Sequence, residues 1–270
     1  MIRLAELLSY DYTVFVFGQE KYFENCTNEK IHICENLRKA INNSNKIIGG
    51  MPLTRDGVTV ESPYSDEKIK LEELNFILED KTFIAGGIPA EFYENKTIKN
   101  IDLLKIKGLT ILNAIPTVEG IIKIAIEETE TTIHESNILI TGYGRIGKIL
   151  CKKLSTFGAN IYCVEREKEN RVWIREEGYI PLNYNEIEAY AQKIDLIINT
   201  VPSIIIEEKI LKKLKKDCVI IDIASLPGGV DKNIAKMYKI KVIRALGLPG
   251  KIAPKTSAKY IKEVIEEEIK

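Results

Sequence analysis

The segment from Asn137 to Leu150 constrains this chain most, because a glycine-rich turn lies there between a strand pattern and a helix pattern. Residues 137–141 are apolar and rich in isoleucine, as is typical of a buried parallel strand. Gly142, Gly144 and Gly147 follow with the spacing G-x-G-x-x-G. Apolar residues then recur at helical spacing up to Gly158, at Ile146, Ile149, Leu150, Leu154 and Phe157. Strand, turn and helix in this order are the context of a dinucleotide-binding fingerprint.

Each glycine has a mechanical role in such a turn. Gly142 allows the tight turn, Gly144 leaves room for a pyrophosphate, and Gly147 lets the helix pack close to the strand. The helix N-terminus offers N–H groups and partial positive charge to phosphates. A glycine-rich structural turn is the alternative interpretation, and the flanking patterns argue against it. The predicted cofactor contacts in the turn are Gly142, Tyr143, Gly144, Arg145, Ile146 and Gly147.

A second strand pattern ends at Glu165, 18 residues after Gly147. About 20 residues is the usual distance to the acid that meets the adenosine ribose, so Glu165 favours NAD. Arg166 beside it could instead meet a 2′-phosphate, which favours NADP.

Composition sets the broad class of protein. A chain of 270 residues predicts two domains, at roughly 100–200 residues each. Lys plus Arg and Asp plus Glu both number 39, so no net charge favours nucleic acid or an anionic membrane. No apolar run reaches the ~18–20 residues of a membrane span. The five cysteines match no metal spacing, and we expect reduced thiols in the cytoplasm and no metal site.

Strand and helix patterns alternate along the chain, so we predict an α/β protein. Residues 1–116 are predicted to form a smaller α/β domain, flavodoxin- or Rossmann-like, with strands at 12–18, 46–50, 81–87 and 108–113. Residues 117–253 are predicted to form a Rossmann-type domain, a doubly wound parallel sheet with about six strands after residue 136. A helix over 121–128 would join the two domains. The last residues, 254–270, are predicted to form a helix that packs near the domain junction.

Polar residues, glycine and proline follow three successive strands of the second domain. Ligands of such sheets bind outside the carboxyl ends of the strands. Plain turn chemistry accounts for any one of these residues, whereas three such ends in succession indicate a nicotinamide and substrate face. The predicted cofactor contacts there are Thr200, Val201, Pro202, Ala224 and Ser225.

Five ordered segments of this chain resemble the family of the dipicolinate synthase A subunit. They are Asn113–Gly120, Gly142–Gly147, Ile197–Ser203, Asp222–Gly229 and Gly247–Thr256. The resemblance implies an enzyme of the mother-cell cytoplasm during sporulation that oxidises 2,3-dihydrodipicolinate to dipicolinate. It also implies a nicotinamide cofactor, with NADP preferred, a flavoprotein-like B subunit of the synthase for a partner, and a homo-oligomer.

One departure from the family pattern concerns the N-terminus. The family usually begins with a strand and a Gly-Gly-Asp turn before its first helix, whereas this chain begins at what looks like that helix, residues 1–9. Either the start is mis-assigned, or the first domain is trimmed and exposes an apolar sheet edge.

The implied reaction is an aromatisation, in which a ring gives a hydride to the nicotinamide and a proton to a base. The two substrate carboxylates call for cations or N–H and O–H donors. The family resemblance is weaker, but in the right order, through Gly49–Gly57 and Gly86–Pro89. By residue type or by position in or beside these matches, the substrate-binding candidates are Arg55, Gly87, Pro116, Thr117, Pro249, Gly250, Lys255, Thr256 and Ser257.

The catalytic candidates are Glu119, Asp222 and Lys251, with Glu119 and Asp222 as possible bases. Glu119 could equally serve as favourable charge at a helix N-terminus. His134 precedes the fingerprint strand, at the wrong end of the sheet for catalysis, and is interpreted as a structural turn residue.

Two other functions remain open. The chain could be another two-domain dehydrogenase, of the 2-hydroxyacid or amino-acid type. Those enzymes use a histidine in the cofactor domain, whereas His32 and His134 both precede the fingerprint. Alternatively it could be a non-catalytic scaffold protein that binds NAD(P).

Overall fold

A computed structural model describes residues 1–269, and they form two compact units. The first unit contains residues 1–113 and the C-terminal residues from Pro254, and the second contains residues 114–253. The division at Asn113 lies three residues before the predicted boundary at 116. The C-terminal helix belongs to the first unit.

The first unit contains short parallel sheets and helices. Its elements are α1 (Ile2–Leu8), β1 (Val14–Val16), α2 (Glu20–Phe23), β2 (Ile31–Ile33), α3 (Leu37–Asn42), β3 (Lys46–Ile48), α4 (Leu71–Ile77), β4 (Thr82–Ala85) and β5 (Lys99–Asp102), followed by α5 (Lys107–Glu128), which ends in the second unit. Strand β1 pairs with β2, and β3, β4 and β5 form a separate three-stranded sheet. Residues 12–17 and 43–46 contribute to the lining of a cavity of about 390 Å³ beside the open edges of β1 and β3.

The predicted strand over residues 108–113 is wrong, because these residues lie in α5. Isoleucines and leucines made the segment strand-like, but its buried residues are Leu109 and Asn113, which are four apart as on one face of a helix. Strand β5 was not predicted, because its sequence Lys-Asn-Ile-Asp carries a single apolar residue. Length and composition alone would let α5 cross a membrane, and part of its apolar surface, including Leu109, Val118 and Ile121, packs in the protein's cores.

The second unit confirms the predicted doubly wound sheet. Its elements are β6 (Asn137–Thr141), α6 (Arg145–Thr156), β7 (Asn160–Val164), α7 (Lys168–Glu176), β8 (Ile180–Leu182), α8 (Ile187–Tyr190), β9 (Leu196–Asn199), α9 (Glu208–Leu211), β10 (Val219–Asp222), α10 (Lys232–Met237), β11 (Lys241–Arg244) and α11 (Leu248–Ile252). The six strands are parallel, in the order β11-β10-β9-β6-β7-β8. Helix α11 was not predicted.

Both faces of this sheet are covered by apolar packing. Ile138 and Ile140 belong to one core cluster, whereas Leu139 between them belongs to the other. Successive side chains of a strand point to opposite faces, which explains the continuous apolar run of β6. The carboxyl ends of β6, β9, β10 and β11 meet at one edge.

The last helix, α12 (Pro254–Glu268), belongs to the first unit and packs there against α1.

Candidate functional site

The turn after β6 has the geometry of a phosphate-binding loop. Gly142 has φ of +86°, a region that L side chains rarely adopt. A Cβ at Gly147 would lie 2.0 Å from the carbonyl oxygen of Gly142, so only glycine allows α6 to approach the strand. A Cβ at Gly144 would meet nothing within 4 Å, so open space lies beside the turn at that residue.

Helix α6 begins at this turn, and its N-cap residue is a glycine, which has no side chain to cap it. Gly144 is its N-cap, and the first helical bond runs from Lys148 N–H to the Gly144 carbonyl, at 2.9 Å. The N–H groups of the first turn lack an intrahelical acceptor in any α-helix, and they favour an anion. The open space at Gly144 and this helix end fit the pyrophosphate of a dinucleotide.

Glu165 is the residue directly after β7, and backbone donors hold its carboxylate in place. Oε2 accepts from Tyr143 N–H at 3.0 Å, and Oε1 accepts from the N–H groups of Arg166 and Glu167 at 2.8 and 3.1 Å. The acid therefore bridges its own turn and the glycine turn.

The basic residues near Glu165 have other partners. The exposed Arg166 side chain donates from Nε to Glu167 Oε1 at 3.1 Å. Arg171 donates from Nη1 to the main-chain carbonyl of Glu165 at 2.8 Å and to that of Arg166.

Tyr143 faces the protein interior rather than the turn's open side. Its side chain is buried in the core cluster that contains Ile140 and Leu150, and the Lys148 ammonium lies 5.1 Å from its ring centre. Burial, and then the nearby Glu177 carboxylate, raise the pKa of the phenol. Because its N–H is used by Glu165, Tyr143 contributes to the site through its backbone.

A row of four polar side chains crosses the sheet at its carboxyl edge. Thr141, Asn199, Asp222 and Arg244 are the last residues of β6, β9, β10 and β11 and stand opposite one another in register. Thr141 Oγ1 donates to Asn199 Oδ1 at 2.6 Å, and Asn199 Nδ2 donates to Asp222 Oδ1 at 2.8 Å. Arg244 Nη1 donates to Asp222 Oδ2 in an ion pair. The row explains why hydrophilic residues are tolerated in a buried part of the sheet.

The loops beyond the row are fastened to it. Asp222 also accepts from the N–H groups of Ala224 and Gly229, at 3.2 and 3.0 Å. A Cβ at Gly229 would lie 2.2 Å from Asn199 Cγ, so the loop can approach the row only with glycine there.

The loop after β9, with the predicted contacts Thr200 and Val201, is also hydrogen-bonded to the row. Thr200 Oγ1 donates to the Thr141 carbonyl at 2.6 Å, and Val201 N–H donates to Asn199 Oδ1 at 3.2 Å. Pro202 and Ser225 are exposed at the ends of these loops.

Other predicted residues of the second unit lie on helices. Glu119 is on α5, half exposed, and its Oε1 lies 3.3 Å from Lys153 Nζ. Pro116 and Thr117 precede it on the same helix. Pro249, Gly250 and Lys251 are on α11, and a Cβ at Gly250 would meet nothing within 4 Å.

The remaining candidates belong to the first unit. Arg55 is exposed and pairs with Glu61, with 3.1 Å between Nε and Oε2. Gly87 has φ of +72° and donates its N–H to Asp102 Oδ1 at 2.9 Å. In α12, Lys255 and Thr256 are exposed, whereas Ser257 is buried and its hydroxyl has no hydrogen-bond partner among residues 1–269.

Sequence reasoning did not single out Thr141, Arg244 and Asp102, which hydrogen-bond to the candidates Thr200, Asp222 and Gly87. Arg244 and Thr141 end strands as Asp222 does, so a search for the last polar residue of each strand would have found them. Asp102 was missed together with β5.

In the part of the chain that the structure describes, no group of three His, Cys, Asp or Glu side chains could hold a metal ion.

Comparisons with known proteins agree with this geometry. A family model described as the N-terminal domain of the dipicolinate synthase A subunit matches residues 2–106. One described as D-isomer specific 2-hydroxyacid dehydrogenase, NAD binding domain, matches residues 120–248. The dipicolinate synthase A subunit of Bacillus subtilis (strain 168) is 34% identical over 222 residues, covering 79% of this chain and 73% of that protein.

The chain is also similar over nearly its whole length to two solved structures of the same family. The dipicolinate synthase A subunit from Bacillus halodurans has a TM-score of 0.85 at 25% identity, covering 98% of this chain and 92% of that one. The A chain of dipicolinate synthase from Bacillus subtilis has a TM-score of 0.83 at 27% identity, covering 100% and 93%. The dehydrogenase-type NAD-binding domain makes this chain an oxidoreductase with a nicotinamide cofactor. The chain belongs to the family of the dipicolinate synthase A subunit.

Proposed function

We propose that this chain oxidises 2,3-dihydrodipicolinate to dipicolinate, with a nicotinamide dinucleotide bound at the turn Gly142–Gly147. The observation that carries the proposal is the turn itself: a helix that begins at a glycine N-cap, open space at Gly144, and an acid held at the end of the next strand. Membership of the family supplies the substrate class.

The cofactor, when bound, supplies the hydride acceptor. The first turn of α6 binds the pyrophosphate through its N–H groups, and Gly144 leaves the room for it. The row from Thr141 to Arg244 holds the loops after β9 and β10 in fixed positions. Rigid loops of this kind orient a reacting ring better than free ones.

The substrate contacts are proposed on chemical grounds. Two carboxylates on a small ring need donors or cations. The candidates by residue type are Lys251 in the second unit and Arg55, Lys255 and Thr256 in the first. The buried Ser257 hydroxyl has donor and acceptor capacity that residues 1–269 do not use.

The proton acceptor is proposed to be Glu119. Its carboxylate is half exposed and pairs with Lys153. Asp222, the other acidic candidate, has both oxygens occupied by Asn199, Ala224, Gly229 and Arg244. Each of its oxygens already accepts two hydrogen bonds, so the lone pairs that a proton from the substrate would need are in use.

The biological setting is proposed from the family alone. The chain would act in the mother-cell cytoplasm during sporulation, as a homo-oligomer that assembles with the flavoprotein-like B subunit of the synthase.

The test is spectroscopic. Freshly generated dihydrodipicolinate is supplied to the full chain with NAD or NADP, with and without the B subunit, and the absorbance of reduced nicotinamide is followed. Reduction that depends on this chain supports the proposal. If the chain binds the cofactor but no combination gives reduction, the alternative of a non-catalytic NAD(P)-binding scaffold is supported instead.

A further inference from the structure

We propose that Glu165 makes this chain selective for NAD over NADP, an inference that rests on the proposed nicotinamide function. Arg166 alone suggests the opposite choice from the sequence. The geometry around the two residues favours the acid.

The position of the carboxylate is the first argument. Glu165 follows β7, which pairs in register with β6, and its Oε2 is 3.0 Å from the N–H of Tyr143 inside the glycine turn. An acid at this point of a dinucleotide-binding fold meets the adenosine ribose. A ribose 2′-hydroxyl would donate to it, whereas a 2′-phosphate would bring about two further negative charges to the same place.

The second argument is that the carboxylate is fixed. Three backbone N–H groups, of Tyr143, Arg166 and Glu167, hold its two oxygens within 3.1 Å. Oε2 accepts one of these bonds, so it keeps capacity for a hydroxyl donor. Moving Glu165 away to admit a phosphate would leave those three N–H groups without this acceptor.

The third argument concerns the neighbouring cations. Arg166 pairs with Glu167 on the exposed surface, and Arg171 donates to the main-chain carbonyls of Glu165 and Arg166. Both guanidinium groups are thus directed to acceptors other than the Glu165 carboxylate. The charge that a 2′-phosphate would meet first is therefore negative, and like charges held in place repel.

Calorimetric titration of the full chain tests this without relying on turnover. The probes are NAD⁺ and NADP⁺, together with the fragments 5′-AMP and 2′,5′-ADP, which differ at the 2′ position. We expect NAD⁺ to bind at least ~10-fold more tightly than NADP⁺. In Glu165→Gln the ratio should fall toward one, mainly because NADP⁺ binds more tightly. The matched control Glu169→Gln removes a nearby exposed charge, leaves the Arg166–Glu167 pair intact and should keep the wild-type ratio.

The ratio of NAD⁺ to NADP⁺ affinity in the wild-type chain tests the inference even if a variant folds poorly. Equal binding of the two cofactors, or tighter binding of NADP⁺, overturns the inference and leaves the proposed function intact. Loss of the NADP⁺ affinity in Arg166→Ala would then assign the 2′-phosphate to Arg166. Binding of neither cofactor overturns the inference and the proposed function together.

Discussion

Arg244 and Asp222 stand opposite each other at the ends of β11 and β10 and form a nearly buried ion pair, with side-chain exposures of 14% and 2%. The same carboxylate accepts hydrogen bonds from Asn199, Ala224 and Gly229. One acid thus connects two strands and the loop that follows the second. This arrangement makes Asp222 a positioning residue for the loop 224–229.

Arg244→Met is expected to lower the free energy of unfolding by about 3–5 kcal/mol, because it leaves the Asp222 charge buried without its partner. The control Lys209→Met breaks an exposed pair with Glu207 and should leave the free energy of unfolding nearly unchanged. Urea denaturation of both variants gives the comparison. Equally small changes in the free energy of unfolding of the two variants would mean that Arg244 does not stabilise the buried Asp222 charge.

Gly144→Ala and Gly147→Ala should separate binding from folding. A Cβ at Gly144 enters open space, so the variant should fold normally and bind NAD⁺ ~10-fold or more weakly. A Cβ at Gly147 meets the Gly142 carbonyl at 2.0 Å and should destabilise the fold by about 1–3 kcal/mol. Thermal unfolding and calorimetry measure the two effects. Full cofactor affinity in Gly144→Ala would place the pyrophosphate elsewhere.

Glu119→Gln tests the proposed base. Its exposed pair with Lys153 contributes little to stability, so the unfolding midpoint should stay nearly unchanged. Loss of a general base lowers kcat by roughly 10²–10⁴-fold, with cofactor affinity preserved. The control Glu127→Gln breaks another exposed pair of α5, with Lys123. A kcat equal to that of the control would exclude Glu119.

The folding stability of the chain should depend on pH through Asp56, which lies beside the candidate Arg55. Its carboxylate accepts from the hydroxyl and N–H of Thr59, at 2.6 and 2.7 Å, and from Val58 N–H at 2.8 Å. The Thr59 hydroxyl, then these backbone donors, lower the pKa of Asp56 well below its usual value. The resulting stabilisation is complete above the unfolded pKa of about 4 and is lost as the pH falls toward the folded value.

Asp56→Asn should therefore be less stable than the wild type at pH 6, and the difference should narrow at pH 3. Urea denaturation at the two pH values checks this. A difference that is constant with pH would show that the Asp56 charge does not stabilise the turn.

The second unit was predicted from the sequence far better than the first. Long isoleucine-rich strands such as β6, β9 and β10 are recognisable, because both faces of a doubly wound sheet are buried. Strands of three or four residues with few apolar side chains, such as β2 and β5, carry no such signal, and α5 resembled a strand where isoleucine and leucine cluster.

Part of the candidate site can be singled out from the sequence. The glycine turn and Glu165 follow from spacing alone, since each glycine has a separate steric reason. The row from Thr141 to Arg244 depends on which strand ends become neighbours, and register between β10 and β11 is a property of the folded sheet. Likewise, the partners of Arg166 and Tyr143 are decided by tertiary contacts that spacing does not reveal.

The central claim is that a nicotinamide dinucleotide occupies the turn between β6 and α6. Hydrogen–deuterium exchange of the full chain, with and without saturating NAD⁺ or NADP⁺, tests it most directly. We predict slower exchange in peptides that cover residues 141–148 and 164–168, with the loop around Asp56 as an internal reference. Unchanged exchange in both of those segments with either cofactor would contradict the account.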